Sequence, residues 1–501
     1  MTALIIHGHF YQPPRENPWT GKIEREPGAA PFHDWNERIH AECYAPNAVA
    51  KIVAEDGRVA AVTNNYDYIS FNFGPTLFSW LETHHPHTYG RILLADATSI
   101  PRRGGHGNAI AQAYGHAILP LCNDHDRLTQ VRWGIADFRH RFKREPESLW
   151  LPETACNDRT LSLLIEEGLR YVILSPNQAS AVRPDSKSDW TEISEQTLDT
   201  TQPYLYEHTD GSGRSIVVFF YNGLASKGIA FEKALTSSRK LVDLFRQAVG
   251  DGPMLNVATD GETYGHHFKF GELCLAHLLT TEAPAAGFNL TNYGEYLDNH
   301  APVLRVKIQH GISGEGSSWS CVHGLGRWTR DCGCHTGGDA EWNQSWRAPL
   351  RSALEFLRDV AAEQFSAAGS ELFPDPWEAR NAYIQVLLNE DSRFAFLRTQ
   401  ARPNLSSEDQ RRALSLLEMQ RYSLLMFTSC GWFFSELSGI ETLQVMKYAA
   451  RVLELLSDLA LPSPREEFLR LLNEAKSNID EMGTGAQIFR QLVESSPRVV
   501  T

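Results

Sequence analysis

Nothing in this 501-residue chain reads as a membrane span, because no run of about 18 apolar residues occurs anywhere in it. The start, Met1-Thr2-Ala3-Leu4-Ile5-Ile6-His7, lacks a basic region and holds only a short apolar stretch, so no export signal is expected and a cytoplasmic location is the expectation. Basic residues are outnumbered, 47 Lys and Arg against 61 Asp and Glu, for a formal net charge of −14. That field disfavours nucleic acid and anionic lipid and suits a neutral partner such as a sugar polymer. Cysteine is sparse, eight in all, and mostly isolated. A chain of this size needs no disulfide scaffold, so the thiols are expected to be reduced. No internal repeat and no low-complexity tract is present.

What is there is an ordinary globular composition, 42% hydrophobic and 22% charged, enough for one large domain and a smaller one. Residues 3–6, 59–63, 149–151, 171–174, 216–221 and 255–258 read as short buried strands ending at polar or Gly/Pro residues. Amphipathic stretches lie between them; Leu161, Leu164, Ile165 and Leu169 recur at helical spacing. This alternation predicts a parallel α/β domain, a barrel or an open sheet, over residues 1–310, with functional groups at the C-terminal strand ends. Residues 346–501 keep a helical period throughout, with a capping box expected at Ser407 to Gln410. Between them, residues 311–345 are rich in Gly, Trp, Cys and His and show no periodicity; a connection of that kind is usually functional, and it is read as a lid.

Three strand ends are unusually polar. The first strand runs into His7-Gly8-His9-Phe10-Tyr11-Gln12, and alternation puts His7 and His9 on one side. Burying such a pair is costly without purpose. Leu149-Trp150-Leu151-Pro152-Glu153 delivers a carboxylate with an aromatic ring three residues before it. Leu255 to His267 delivers Asp260 and Glu262, with His266 close behind. Glycosidic cleavage needs one carboxylate to attack the anomeric carbon and another to protonate the leaving oxygen. Each acid also has an ordinary reading: Glu153 as a cap of the following helix, Asp260 as an N-cap or ligand of a structural cation.

These segments resemble glycoside hydrolase family 57. The His7 to Pro13 segment is similar to its first motif, Gly115-His116-Ala117-Ile118-Leu119-Pro120-Leu121 to its second, Trp150-Leu151-Pro152-Glu153 to its third, Thr259-Asp260-Gly261-Glu262 to its fourth, and Ser317-Ser318-Trp319 to the start of its fifth. The resemblance implies an incomplete (β/α)7 barrel followed by a C-terminal all-helical domain. It implies a retaining glycosidase or transglycosylase (amylase, 4-α-glucanotransferase or branching enzyme) acting on α-glucan, with Glu153 as nucleophile, Asp260 as general acid/base, and no cofactor. The two carboxyl groups are then expected about 5 Å apart, with Glu262 raising the pKa of Asp260 by like-charge repulsion. His7, His9, Gln12, His116, Trp150, Glu262, His266, Trp319 and Trp432 are the expected substrate contacts, and Trp19 offers a further stacking face. The chain departs from the family where Phe220-Tyr221-Asn222 replaces Phe-Arg-Asp and Ser429-Cys430-Gly431-Trp432 replaces Ser-Asp-Trp, marking an outlying branch.

Cys321, His323, Cys332, Cys334 and His335 are soft ligands within one loop, four of which suffice for tetrahedral zinc. The Cys-x-Cys spacing is tighter than usual, so free thiols in an ordered loop, and no metal, are expected. His84, His85 and His87 are read as a solvated surface group. Two other functions fit less well: a metal-dependent polysaccharide deacetylase, which needs an aspartate beside His7 and His9, and a non-catalytic glycan-binding protein, against which both acids count.

Overall fold

A computed structural model describes residues 1–54, 56–496 and 498. Two compact units make up the chain, and neither is a continuous segment. One takes Met1–Gln12, Arg25–Ala113 and Phe138–His310; the other takes Pro13–Glu24, Tyr114–Asp137 and the chain from Gly311 onward.

The first unit is mixed α/β. Seven of its strands position the site: β1 (Thr2–Phe10), β2 (Ser70–Phe73), β3 (Ala111–Gln112), β4 (Leu149–Trp150), β5 (Tyr171–Leu174), β6 (Ser215–Phe220) and β7 (Met254–Asp260). β1 is buried along nearly its whole length, which explains its unbroken apolar run: a parallel strand covered on both faces cannot alternate. β1 pairs in parallel with β7, placing His9 opposite Asp260, and with β2, placing His9 opposite Asn72. β3 pairs with β4 and β5 with β6, also in parallel. Single parallel bridges, Phe71 to Ala109 and Ser148 to Tyr171, link the pairs in sequence. Between β6 and β7 there is no ladder, but the Asn222 amide donates to the Asn256 carbonyl at 2.7 Å and the Asn256 side chain donates to the Phe220 carbonyl at 3.0 Å. The ladders do not form one closed barrel: they divide into a four-stranded sheet, a six-stranded mixed sheet and two pairs.

Two readings of the sequence change here. Val59–Thr63 is exposed and pairs antiparallel with Ala50–Val53; its apolar composition reflects a two-stranded ribbon rather than a buried strand. β2 and β3 were not foreseen, because Ser70-Phe71-Asn72-Phe73 alternates polar with aromatic and β3 has only two residues.

In the second unit, every named element from Arg347–Leu372 to Phe489–Val493 is a helix. The longest helix buries Leu350, Ala353, Leu354, Leu357, Ala361 and Phe365 along one stripe. The helix Ser407–Leu425 is capped one residue earlier than expected: the Ser406 hydroxyl accepts from the Asp409 amide. No helix among the described residues is long and apolar enough to cross a membrane.

Candidate active site

The C-terminal ends of β1, β2, β4 and β7 carry the polar groups. At the centre of a buried network lies Asn72. Its side-chain oxygen is 3.0 Å from His7 Nε2; its nitrogen is 2.9 Å from His9 Nδ1 and donates to Gln112 Oε1 at 2.8 Å. An amide oxygen accepts only and its nitrogen donates only, so this one side chain fixes both imidazoles. His7 carries its proton on Nε2, leaving Nδ1 to accept from the Ser70 hydroxyl at 3.0 Å. His9 accepts at Nδ1 and carries its proton on Nε2. Burial drives the pKa of His7 down to about 3, against the opposing hydrogen bond to Asn72, so the ring stays neutral. Both imidazoles stack on Trp150, with centroids 4.8 and 4.9 Å from it, and Trp150 itself is buried. A deacetylase reading requires the two histidines to converge on an ion, whereas both nitrogens of His7 are engaged by Ser70 and Asn72.

Glu153 follows β4 on the turn Pro152–Thr154, and its backbone is left-handed, with φ 58° and ψ 21°. Thr154 is left-handed as well, at φ 49°. A non-glycine residue in this region costs about 1–2 kcal/mol, and two in succession persist only where neighbours over-determine them. Gln178 does so: its oxygen accepts from the Thr154 hydroxyl at 2.8 Å and its nitrogen donates to the Thr154 carbonyl at 2.8 Å. Glu153 does not cap the next helix. Asn157 does, accepting from the Thr160 amide at 2.9 Å.

Asp260 ends β7. It caps nothing with its side chain, and it is open to solvent although protein surrounds the carboxyl. That surrounding mass, and then the charge of Glu153, push its pKa up to about 7. The charge that raises Asp260 is that of Glu153; the like-charge repulsion expected between Asp260 and Glu262 is present but raises Glu262 instead. Glu262 is buried and is itself raised to about 8, by desolvation and then by Asp260, against opposing hydrogen bonds. The Tyr44 hydroxyl donates to its Oε1 at 2.6 Å and the Tyr11 amide donates to the same oxygen at 3.0 Å, which leaves Oε2 to hold the proton. Gly261 lets this turn pack down: a Cβ there would lie 2.2 Å from the Phe10 ring.

The other expected contacts are dispersed. The Gln12 side chain donates to the Tyr11 carbonyl. His266 pairs with Glu42. Asn222, which stands where the family places an aspartate, caps the helix Gly223–Ala230 through the Ala225 amide. His116, Trp319 and Trp432 belong to the second unit. His116, left-handed at φ 53°, is buried and bonds Ser429 Oγ at 2.7 Å. Trp432 is wholly buried and donates to the Arg347 carbonyl at 3.3 Å, while Trp319 is half-buried. His85 is half-buried against Glu37 and His40, so it is not a solvated surface group. Ser70, Asn72, Gln112, Tyr44 and Gln178 were missed. The alternation of Ser70 with Asn72 was the one available signal.

Residues 101–309 match the model of glycosyl hydrolase family 57, and residues 342–500 match a domain of unknown function, DUF3536. Alpha-amylase 1 of Dictyoglomus thermophilum is 24% identical over 106 residues, a match spanning 21% of this chain and 15% of that amylase's length. Among solved structures, an exo-type maltose-forming amylase from Pyrococcus sp. ST04 aligns with a TM-score of 0.66 at 15% identity, covering 94% of this chain and 82% of that one. A family 57 branching enzyme from Pyrococcus horikoshii aligns with a TM-score of 0.55 at 14% identity, covering 100% and 99%. The family resemblance read from the motifs is borne out.

Proposed function

Starting from the glycosyl hydrolase family 57 match over residues 101–309, we propose that this protein is a retaining glycosidase or transglycosylase acting on α-linked glucan. Glu153 attacks the anomeric carbon as Asp260 gives its proton to the leaving oxygen. A glycosyl ester forms on Glu153, and Asp260, now ionised, takes a proton from the water or sugar hydroxyl that resolves the ester. What supports this reading is the raised pKa of Asp260: the protein around its carboxyl, and then the charge of Glu153, push it up to about 7, so that it holds a proton near neutral pH. Paired carboxyls whose environments set them apart are what acid and nucleophile roles require. The strained turn under Glu153 supports it further, since strain of this kind collects at functional sites. In this reading the strands β1 to β7 make up the incomplete (β/α)7 barrel, and the helices after residue 346 belong to the second unit together with residues 13–24 and 114–137.

The test is incubation with maltoheptaose and chromatography of the products. Shorter sugars alone mean hydrolysis; a ladder of longer ones means transfer. Glu153→Gln is expected to lower turnover by several orders of magnitude with the fold intact by circular dichroism. Near-normal rates in that variant would remove Glu153 from the role, and inertness of the wild type towards every α-glucan would remove the substrate class.

A further inference from the structure

The segment from Gly311 to Trp346 has almost no regular structure, its one helical element being the turn Gly326–Trp328. It nevertheless brings four soft ligands to one point. Sγ of Cys321, Cys332 and Cys334 and a ring nitrogen of His323 all lie within 4.8 Å of one another. We propose that these four residues bind a single structural zinc ion in tetrahedral geometry.

The spacings carry the case. With Zn–S near 2.3 Å and Zn–N near 2.05 Å, a regular tetrahedron sets sulfur pairs about 3.8 Å apart and sulfur and nitrogen about 3.6 Å apart. Here Cys321 Sγ is 3.9 Å from Cys332 Sγ and 3.8 Å from Cys334 Sγ, and Cys334 Sγ is 3.6 Å from His323 Nδ1. A disulfide would bring two sulfurs to about 2.05 Å. Cys321 stands equally near two partners, and joining either would strand the other. A cluster of several irons would hold its ligands further apart. Thiolate and imidazole together select zinc over the hard cations magnesium and calcium.

The surroundings fit an anionic centre. Three thiolates on one zinc carry a net charge of −1. Arg347 and Arg327 are both buried, and among the described residues neither pairs with a carboxylate. Their Nε atoms have no hydrogen-bond partner, while Arg347 donates to the Cys334 carbonyl at 2.7 Å and Arg327 to the Ser320 carbonyl at 3.3 Å. Of the carboxylates, Asp331 acts on Arg347 only through space, without an ion pair, and buried guanidinium groups short of counter-charge are expensive; a thiolate-bound zinc supplies further negative charge. The backbone is adapted too. Arg330 donates to the His323 carbonyl at 3.0 Å, Gly333 takes φ 78° between the paired cysteines, and a Cβ on Gly326 would lie 2.8 Å from Cys332 Cβ. His335, the fifth candidate, is exposed and is not a ligand. In sequence the motif is Cys-x-His followed by Cys-x-Cys, a spacing shorter than usual that the glycine makes workable.

The test is metal analysis of the full chain purified without chelator. The expected result is about one zinc per chain, lost in Cys332→Ser and in Cys334→Ser and kept in Cys274→Ser, whose thiol lies outside the group. Cobalt exchanged for zinc should give the intense visible bands of a tetrahedral thiolate site. Zinc removal should open residues 311–346 to protease. The wild-type measurement does not depend on any variant folding. Metal-free protein whose Cys321, Cys332 and Cys334 titrate freely in the native state overturns the proposal. So does a disulfide among them by non-reducing mass spectrometry, or zinc content unchanged in both ligand variants.

Discussion

At the scale of single residues, the proposed chemistry rests on one proton. Asp260 must hold it at the first step, and its pKa is raised from 3.8 to about 7; at the ordinary value it would be empty at neutral pH. kcat/KM is therefore expected to fall as pH rises through about 7, since the free enzyme loses its acid there. A rate that holds level to pH 9 would contradict the assignment. Glu262 gives a stability prediction with the sign worked out. Its folded pKa, about 8, exceeds the unfolded value near 4.5, so between those values the folded chain binds more protons than the unfolded one. Stability is then full below about pH 4.5 and is lost as pH rises to about 8, at up to ~1.4 kcal/mol per unit. Glu262→Gln should flatten that decline in urea titrations at a series of pH values. Both acids were legible in the sequence because they follow apolar strands. Asn72 and Gln178 were not: an amide announces nothing until its partners, distant in sequence, are brought to it.

At the scale of elements, strand ends proved readable and strand edges did not. β1, β5 and β7 stand out as apolar runs, whereas β3 is two residues long and takes its place from neighbours on either side. Val59–Thr63 shows the converse, an apolar run left outside because its partner is a short antiparallel strand. The sequence reads residues 311–345, which include Trp319 and Trp328, as a lid. Trp328 has no exposed surface and its indole donates to the Ser429 carbonyl at 3.2 Å, so it belongs to the packed interior of the second unit. Trp328→Ala should cost about 3–5 kcal/mol of stability, measured by thermal or urea unfolding; an unchanged melting temperature would point instead to a side chain held loosely by its surroundings. No signal in composition separates a tryptophan that packs from one that closes over ligand.

At the scale of the molecule, the order of the motifs pointed to the family, and the −14 charge raised the expectation of a neutral partner. The threading of the chain was out of reach, because it is set by contacts between segments hundreds of residues apart. Residues 13–24 and 114–137 leave the first unit and complete the second. Within that second unit the Gln444 side chain donates to the Glu16 carbonyl and the Tyr422 hydroxyl to the Pro18 carbonyl. Buried Arg380 pairs with Asp126 at 2.8 Å, and the Trp133 indole donates to the Arg380 carbonyl. The two families matched along the chain are thus not two modules on a string. A cut near residue 310 would leave the first unit's residues together but would separate residues 311–501 from residues 13–24 and 114–137, which complete the second unit, so residues 311–501 expressed alone are expected to be less stable than they are in the full chain.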